Sequence, residues 1–356
     1  MRIMVLAFLA LFPFSVAYAE EAIMRATVLE VRSERTESLP GMYGTQQIQE
    51  IAVELSDGSR VLIVNDRVPL RAGDQFYALK ADSADGSVVT VHDVDRLPVL
   101  AAAVALFALA TLVVGWWVGA RALISLGISI VFILYVLIPL LGAGYPPILV
   151  CGIGAACILA IAMVVTHGMR PGVLAAYIAA VGAVFIAIGL AEVFVAAAHL
   201  TGFSDSAAAM VSISIDGINM QGLLLGAMII GVLGIVDDLA VTQVATVAEL
   251  ESSGITGGAE LYARAMHVGR EHLGAVVNTL VLAYAGASLP LLMLFAYAPA
   301  PSMVLINSEV IALEIVRAAV GGVALALVIP AATALAVYLL RRGIRLDTRH
   351  GSHVVH

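Results

Sequence analysis

The side chains best placed to do chemistry are two adjacent carboxylates, Asp237 and Asp238, set inside the apolar run GVLGIVDDLAVTQ. A charge near the centre of a bilayer costs at least ~2.5 to 3.5 kcal/mol on insertion scales, so a carboxylate kept there points to function. Neighbouring residues on a helix project about 100° apart, so the two acids cannot face one partner together. Steps of three and four from Asp238 pass through Ala227, Gly231, Gly234, Thr242, Ala245 and Glu249, a stripe of small and polar residues. The same steps from Asp237 pass through Ile230, Leu233, Val241 and Val244. Small residues let another helix backbone approach closely, which predicts a packed seam holding Asp238 and Thr242. Desolvation there disfavours the charged carboxylate, and a carboxyl that gains and loses a proton at mid-membrane is what proton coupling requires. Asp238 is therefore expected as the protonation site and Asp237 as a second carboxylate. Thr242, Asn278 and Thr279 are expected to complete the polar seam. The other reading makes Asp238 permanently protonated, or bonded to Asn278 as helix-packing glue.

Further ionisable residues flank this pair. His267, Glu271, Gly274 and Asn278 fall in line on the following helix, so His267 or His272 could feed protons toward the Asp238 level near neutral pH. Solvated interfacial histidines are the alternative. On the outer side, Glu192, Glu314 and Arg317 lie within spans, with His199 and Glu309 near the outer interface. Glu192 and Arg317 come out at similar depth, about 10 Å from the midplane at the helical rise. They are predicted to pair across helices as an outer gate or anion site, with Glu314, three residues before Arg317, as the local competitor. A purely structural ion pair is the alternative. Hydrolytic chemistry has no motif: HExxH, GxSxG and the P-loop are all missing from the sequence. Neither a cofactor nor a metal is expected, Cys151 and Cys157 read as packing residues, and the terminal RHGSHVVH reads as a polar tail.

The elements that must position these residues follow from composition. Of 356 residues 61% are apolar and 12% charged, against about 45 to 50% and about 25% in soluble domains. The solvent for most of the chain is lipid. Residues 20–96 hold 22 of the 44 charged side chains, and the single lysine, Lys80, and the net charge of −8 exclude a nucleic-acid binder. Residues 1–19 read as a signal peptide ending Ala17-Tyr18-Ala19, or as an uncleaved anchor. Residues 20–96 alternate apolar and polar with period two, and the turn signals Ser56-Asp57-Gly58-Ser59 and Asp85-Gly86 divide them into five short strands. That pattern predicts a small exported β-barrel of OB or SH3-like size, acting as a docking or gating module.

Residues 97–341 read as a polytopic all-α bundle. Seven spans are predicted near 98–118, 121–141, 147–166, 172–199, 220–245, 274–298 and 312–340, with an amphipathic cytoplasmic helix at 246–273 and a cytoplasmic tail at 342–356. With the barrel outside, Arg121, Arg170, Arg264, Arg270, Arg341, Arg342, Arg345 and Arg349 all fall inside, as the positive-inside rule requires.

Three stretches, GIVDDLAVTQ, RAMHVGREHLGAVVNTLVLAYAGASLPLL and INSEVIALEIVRAAVGG, resemble the signature stretches of the YibE/F family of bacterial integral membrane proteins. The resemblance covers about residues 22–340 and implies a bacterial multi-pass membrane protein with an exported N-terminal β domain. It implies little about substrate. By analogy, LGIVDDLAV also looks like the proton-relay helix of resistance-nodulation-division exporters and their SecD/SecF relatives. The expectation is a proton-coupled secondary transporter or exporter of a small solute or ion in the bacterial inner membrane. The alternative is a scaffold or accessory subunit whose β domain docks an envelope partner. An Asp238→Asn change separates them, by loss of a gradient-dependent flux or by loss of assembly.

Overall fold

The computed structural model describes residues 22–38, 45–83, 86–203, 206–215, 217–297, 299 and 301–346. The signal segment at 1–19 and the histidines of the tail lie outside the described residues. The chain divides between Ala110 and Thr111 into two compact units.

The first unit carries the five predicted strands: β1 (Ala22–Ser38), β2 (Thr45–Leu55), β3 (Arg60–Asn65), β4 (Gln75–Ser83) and β5 (Gly86–Val94). They form one antiparallel sheet in the order β3-β2-β1-β4-β5. Period-two alternation sends Ala26, Val28, Ile51, Val53, Ile63, Phe76, Ala78 and Val91 to one buried face. Register shifts in β1 between Val28 and Glu30 and between Val31 and Ser33 bend that long strand. The sheet curls into a half-barrel. Gly58 turns β2 into β3 at φ +82°, where a side chain would be strained. Asp57 Oδ1 accepts from the Ser59 amide at 2.8 Å and its hydroxyl at 2.5 Å, which holds the Asp57 carboxyl below its ordinary range. Gln49, 3% exposed, ties down the loop after β3. It accepts from Leu70 N at 2.7 Å and from Asn65 Nδ2 at 3.1 Å, and donates to the Leu70 carbonyl at 3.1 Å.

The helical elements are α1 (Leu97–Phe132), which runs through a π turn at Ile133–Leu137 into α2 (Ile138–Gly142), then α3 (Pro147–His167), α4 (Pro171–Ala197), α5 (Ser206–Ser214), α6 (Met220–Ser252), α7 (Gly258–Ala287), α8 (Leu289–Tyr297), α9 (Ser302–Ile306) and α10 (Glu309–Arg341). Among the described residues five runs are long and apolar enough to cross a membrane, and six when α7 and α8, bent by 66°, count as one. The spans predicted at 98–118 and 121–141 emerge as one run, Leu97–Gly142, broken at Trp116 (φ 48°, ψ −129°). The break is sharp. A Cβ at Gly119 would collide with the Thr111 carbonyl, although eight residues of straight helix separate two points by about 12 Å. The connector predicted as a separate amphipathic helix at 246–273 is shared out differently: α6 runs on to Ser252, and α7 begins at Gly258 and continues without a break to Ala287.

Helix α6 is the hub, packed by α3, α4, α7 and α10, and α4 packs in turn on α10. The buried face of α4 is mostly small, Gly172, Ala175, Ala176, Ala179, Ala180, Ala183, Ala187 and Ala191, with Val173, Val184, Ile188 and Val195 among them, and Val184, Ala187 and Ala191 face Met228, Ile229 and Val232 of α6. A Cβ at Gly226 would collide with Cys151 Sγ, so α3 and α6 meet there at close range.

Candidate functional site

The start of α6 is fixed by Asn219, whose side-chain oxygen accepts from Gly222 N at 2.9 Å. From there the 33-residue helix runs about 50 Å, and Asp237 lies close to its middle. Asp237 is half-buried, and its Oδ1 is buried with no hydrogen-bond partner among the described residues. Asp238 is exposed. Exposed with it are Ala227, Gly231, Gly234 and Glu249, while Thr242 and Ala245 are half-buried. The packed seam predicted along this stripe is therefore corrected: within this chain it is the open face. The core takes the opposite face, Val232, Val236, Leu239, Ala240 and Gln243. The small residues on the buried side are supplied largely by α4, while Gly222 and Gly226 of α6 admit α3.

The α7 residues of the predicted constellation, His267, Glu271, Asn278 and Thr279, are all exposed. Thr279 Oγ1 donates to the Ala275 carbonyl of its own helix at 3.0 Å. None of the four hydrogen-bonds to Asp237 or Asp238 among the described residues. What joins α6, α7 and α10 is a residue the carboxylates overshadowed, Gln243, the last letter of GVLGIVDDLAVTQ. It is 3% exposed. Its Nε2 donates to the Ala265 carbonyl at 2.9 Å and to Thr333 Oγ1 at 2.8 Å, and Thr333 Oγ1 donates on to the Ile329 carbonyl at 2.7 Å. A Cβ at Gly269 would stand 2.7 Å from Gln243 Oε1 and 2.6 Å from Ile329 Cγ2, so glycine admits this crossing. The available signal was an amide in an apolar run, which must find partners when buried.

Toward the N-terminal end of α10, the predicted Glu192–Arg317 pair is not formed. Arg317 Nη1 donates to both oxygens of Glu314, at 2.9 and 3.2 Å, and Glu192 is exposed. The local competitor wins because a three-residue spacing brings the two side chains onto one helix face. The guanidinium carbon lies 5.7 Å from the ring centroid of Tyr284 on α7. Tyr284 Oη is buried without a partner among the described residues, and a Cβ at Gly231 would stand 3.4 Å from it. At the start of α10, Glu309 clasps the loop after α4: it accepts from Thr201 N at 2.6 Å, Gly202 N at 3.0 Å and Thr201 Oγ1 at 2.9 Å.

A family model described as YibE/F-like protein matches residues 103–342. The chain belongs to the YibE/F family. Both carboxylates, the Gln243 node and the Arg317 cluster fall inside the matched YibE/F region, whereas the β sheet precedes it. Membership and the apolar helices together make the chain an integral membrane protein of this family. No curated protein and no solved structure matches the chain.

Proposed function

We propose that this YibE/F protein is a proton-coupled secondary transporter of a small solute or ion in the bacterial inner membrane, and not an enzyme. One observation carries the reading. At the middle of the hub helix two successive carboxyls have different surroundings, Asp238 open on the exposed stripe and Asp237 with a buried, unpartnered oxygen. An unpaired carboxylate in hydrocarbon is costly, whereas a carboxyl that exchanges its proton with water is not. Asp238 is the protonation site in this reading and Asp237 the second carboxyl, with Thr242, Asn278 and Thr279 as polar neighbours on the open side and His267 and Glu271 as proton access.

Seven spans are part of the proposal. The 46-residue run Leu97–Gly142 is about twice the ~20 residues a crossing needs, and its break exposes Trp116 and Trp117, 74% and 72%, a few residues before Arg121. Tryptophans and an arginine together suit the inner membrane–water interface. Counting that run twice and α7 with α8 once gives seven crossings, the β domain outside and the C-terminus in the cytoplasm. An envelope protein is the proposed partner of the β domain. Reconstitution in liposomes with an internal pH dye tests the reading: some small solute should move protons down an imposed gradient, and Asp238→Asn should slow that movement at least tenfold while the protein stays monodisperse. Unchanged flux in both Asp238→Asn and the double Asn variant would refute it.

A further inference from the structure

Arg317 is the single lysine or arginine between Arg270 and Arg341, and it stands about 12 Å along α10 from Glu309 at the helical rise. A cation at that depth needs an anion. Glu314 supplies one through a single nitrogen, both of its oxygens accepting from Nη1. Among the described residues no acceptor engages Nη2 or Nε. The two side chains are each 24% exposed, so the pair is not sealed within the bundle. Beside it lies Tyr284, whose ring meets the guanidinium and whose hydroxyl is buried with no partner among the described residues. The unengaged groups are thus a planar pair of N–H donors and a phenol, and no unpaired acid sits among them. Asp237 and Asp238 of α6 and Glu192 of α4 make no hydrogen bond or ion pair with Arg317 among the described residues. A planar guanidinium edge matches carboxylate and phosphate oxygens in a two-point contact.

We propose that Arg317 and Tyr284 form a binding site for a small oxyanion, a carboxylate or phosphate group, with Glu314 as the internal anion that competes for the same guanidinium. The proposal names the ligand chemistry for the transport reading above and rests on that reading for its place on the solute's path. Two sources could present the group, a free solute or the headgroup of a phospholipid.

Equilibrium binding, with no gradient, separates the possibilities. The full chain is placed in nanodiscs of phosphatidylcholine, alone or with phosphatidylglycerol, and acetate or inorganic phosphate is titrated at constant ionic strength by calorimetry. Saturable one-to-one binding is expected. It should weaken about tenfold or more in Arg317→Gln, the loss expected for a charge-assisted hydrogen bond, and several-fold in Tyr284→Phe. It should tighten in Glu314→Gln, where the internal competitor is gone. If the headgroup is the source, phosphatidylglycerol stays with the wild type through purification, is lost from Arg317→Gln, and blocks the free anions. The double variant Arg317→Gln with Glu314→Gln removes both charges together and shows the loss of binding in a chain with no unpaired ion. The proposal is overturned if neither anion binds Glu314→Gln and no phosphatidylglycerol is retained. It is equally overturned if Glu314→Gln weakens binding as much as Arg317→Gln, which a purely structural pair predicts. A chain that moves protons with a solute yet binds no oxyanion, free or on a lipid, either as wild type or as Glu314→Gln, defeats this inference alone. One that binds oxyanions but moves no protons defeats the transport reading alone.

Discussion

Replacing Gln243 by Met keeps the length and approximate volume of the side chain and removes its amide. Two hydrogen bonds then disappear, to the Ala265 carbonyl and to Thr333 Oγ1. Interhelical hydrogen bonds in membranes average ~0.6 kcal/mol and reach ~1.7, so the expected loss is about 1 to 3 kcal/mol. Thr333 keeps its bond to Ile329, and the carbonyl of Ala265 lies within a helix, so no buried polar atom is left wholly without a partner. That keeps the estimate from rising further. For a unit of the size of Thr111–His356 ~1 kcal/mol moves the melting temperature by about 2 to 4 °C, which places the variant roughly 2 to 12 °C below wild type. Cys151, buried in α3, provides the readout: in a Cys157→Ser background, a thiol-reactive dye reports its exposure during heating. A double-mutant cycle with Thr333→Val should return a coupling of about 0.6 to 1.7 kcal/mol. A Gln243→Met protein as stable as wild type, or a cycle with zero coupling, would refute the view that this amide joins three helices.

Other expectations follow from single contacts. Gly226→Ala should destabilise by about 1 to 3 kcal/mol through overpacking, because the new methyl meets Cys151 Sγ; adding Cys151→Ala should restore most of the loss, with unfolding of both variants followed by far-ultraviolet circular dichroism during heating. Glu309→Ala removes the acceptor of the Thr201 and Gly202 amides, and their hydrogen exchange, read by mass spectrometry, should quicken about tenfold for a lost charge-assisted bond. Asp57 is held below the usual carboxylate range by the Ser59 hydroxyl and amide, so its contribution to the turn is present at neutral pH and lost as pH falls through its depressed midpoint. Ser59→Ala should move that midpoint upward in a carboxyl chemical-shift titration, and an unmoved midpoint would show that the hydroxyl is not the cause.

The sheet was legible because alternation and turn chemistry are local signals: Gly58 sits at positive φ where the Asp57-Gly58 pair predicts it. Apolar length likewise marked the helical runs. Helix faces were harder to read. The small stripe through Gly231, Gly234 and Asp238 was expected to be packed, yet it lies open, because small residues show where a helix could approach and not which neighbour has surface to offer. The alanines of α4 carried the complementary signal, unreadable until its partners were known. Arg317 was expected to seek Glu192 at equal depth, but depth alone ignores azimuth, and Glu314 on the same helix face was the nearer acid. Gln243 escaped attention because a single amide is quiet beside two carboxylates, although burial makes its bonds obligatory.

The alanine face of α4 has a mechanical consequence. A methyl group has no rotamers, so a helix resting on these alanines meets a face with few side chains to rearrange, and a lengthwise shift of an ångström or two would repack only the larger Val184 and Ile188 among them. The junction at Gln243 has the opposite character, since a donor aimed at two fixed oxygens tolerates little displacement. Any sliding within the bundle would therefore be carried along α4, while α6, α7 and the stretch of α10 around Thr333 travel as one piece.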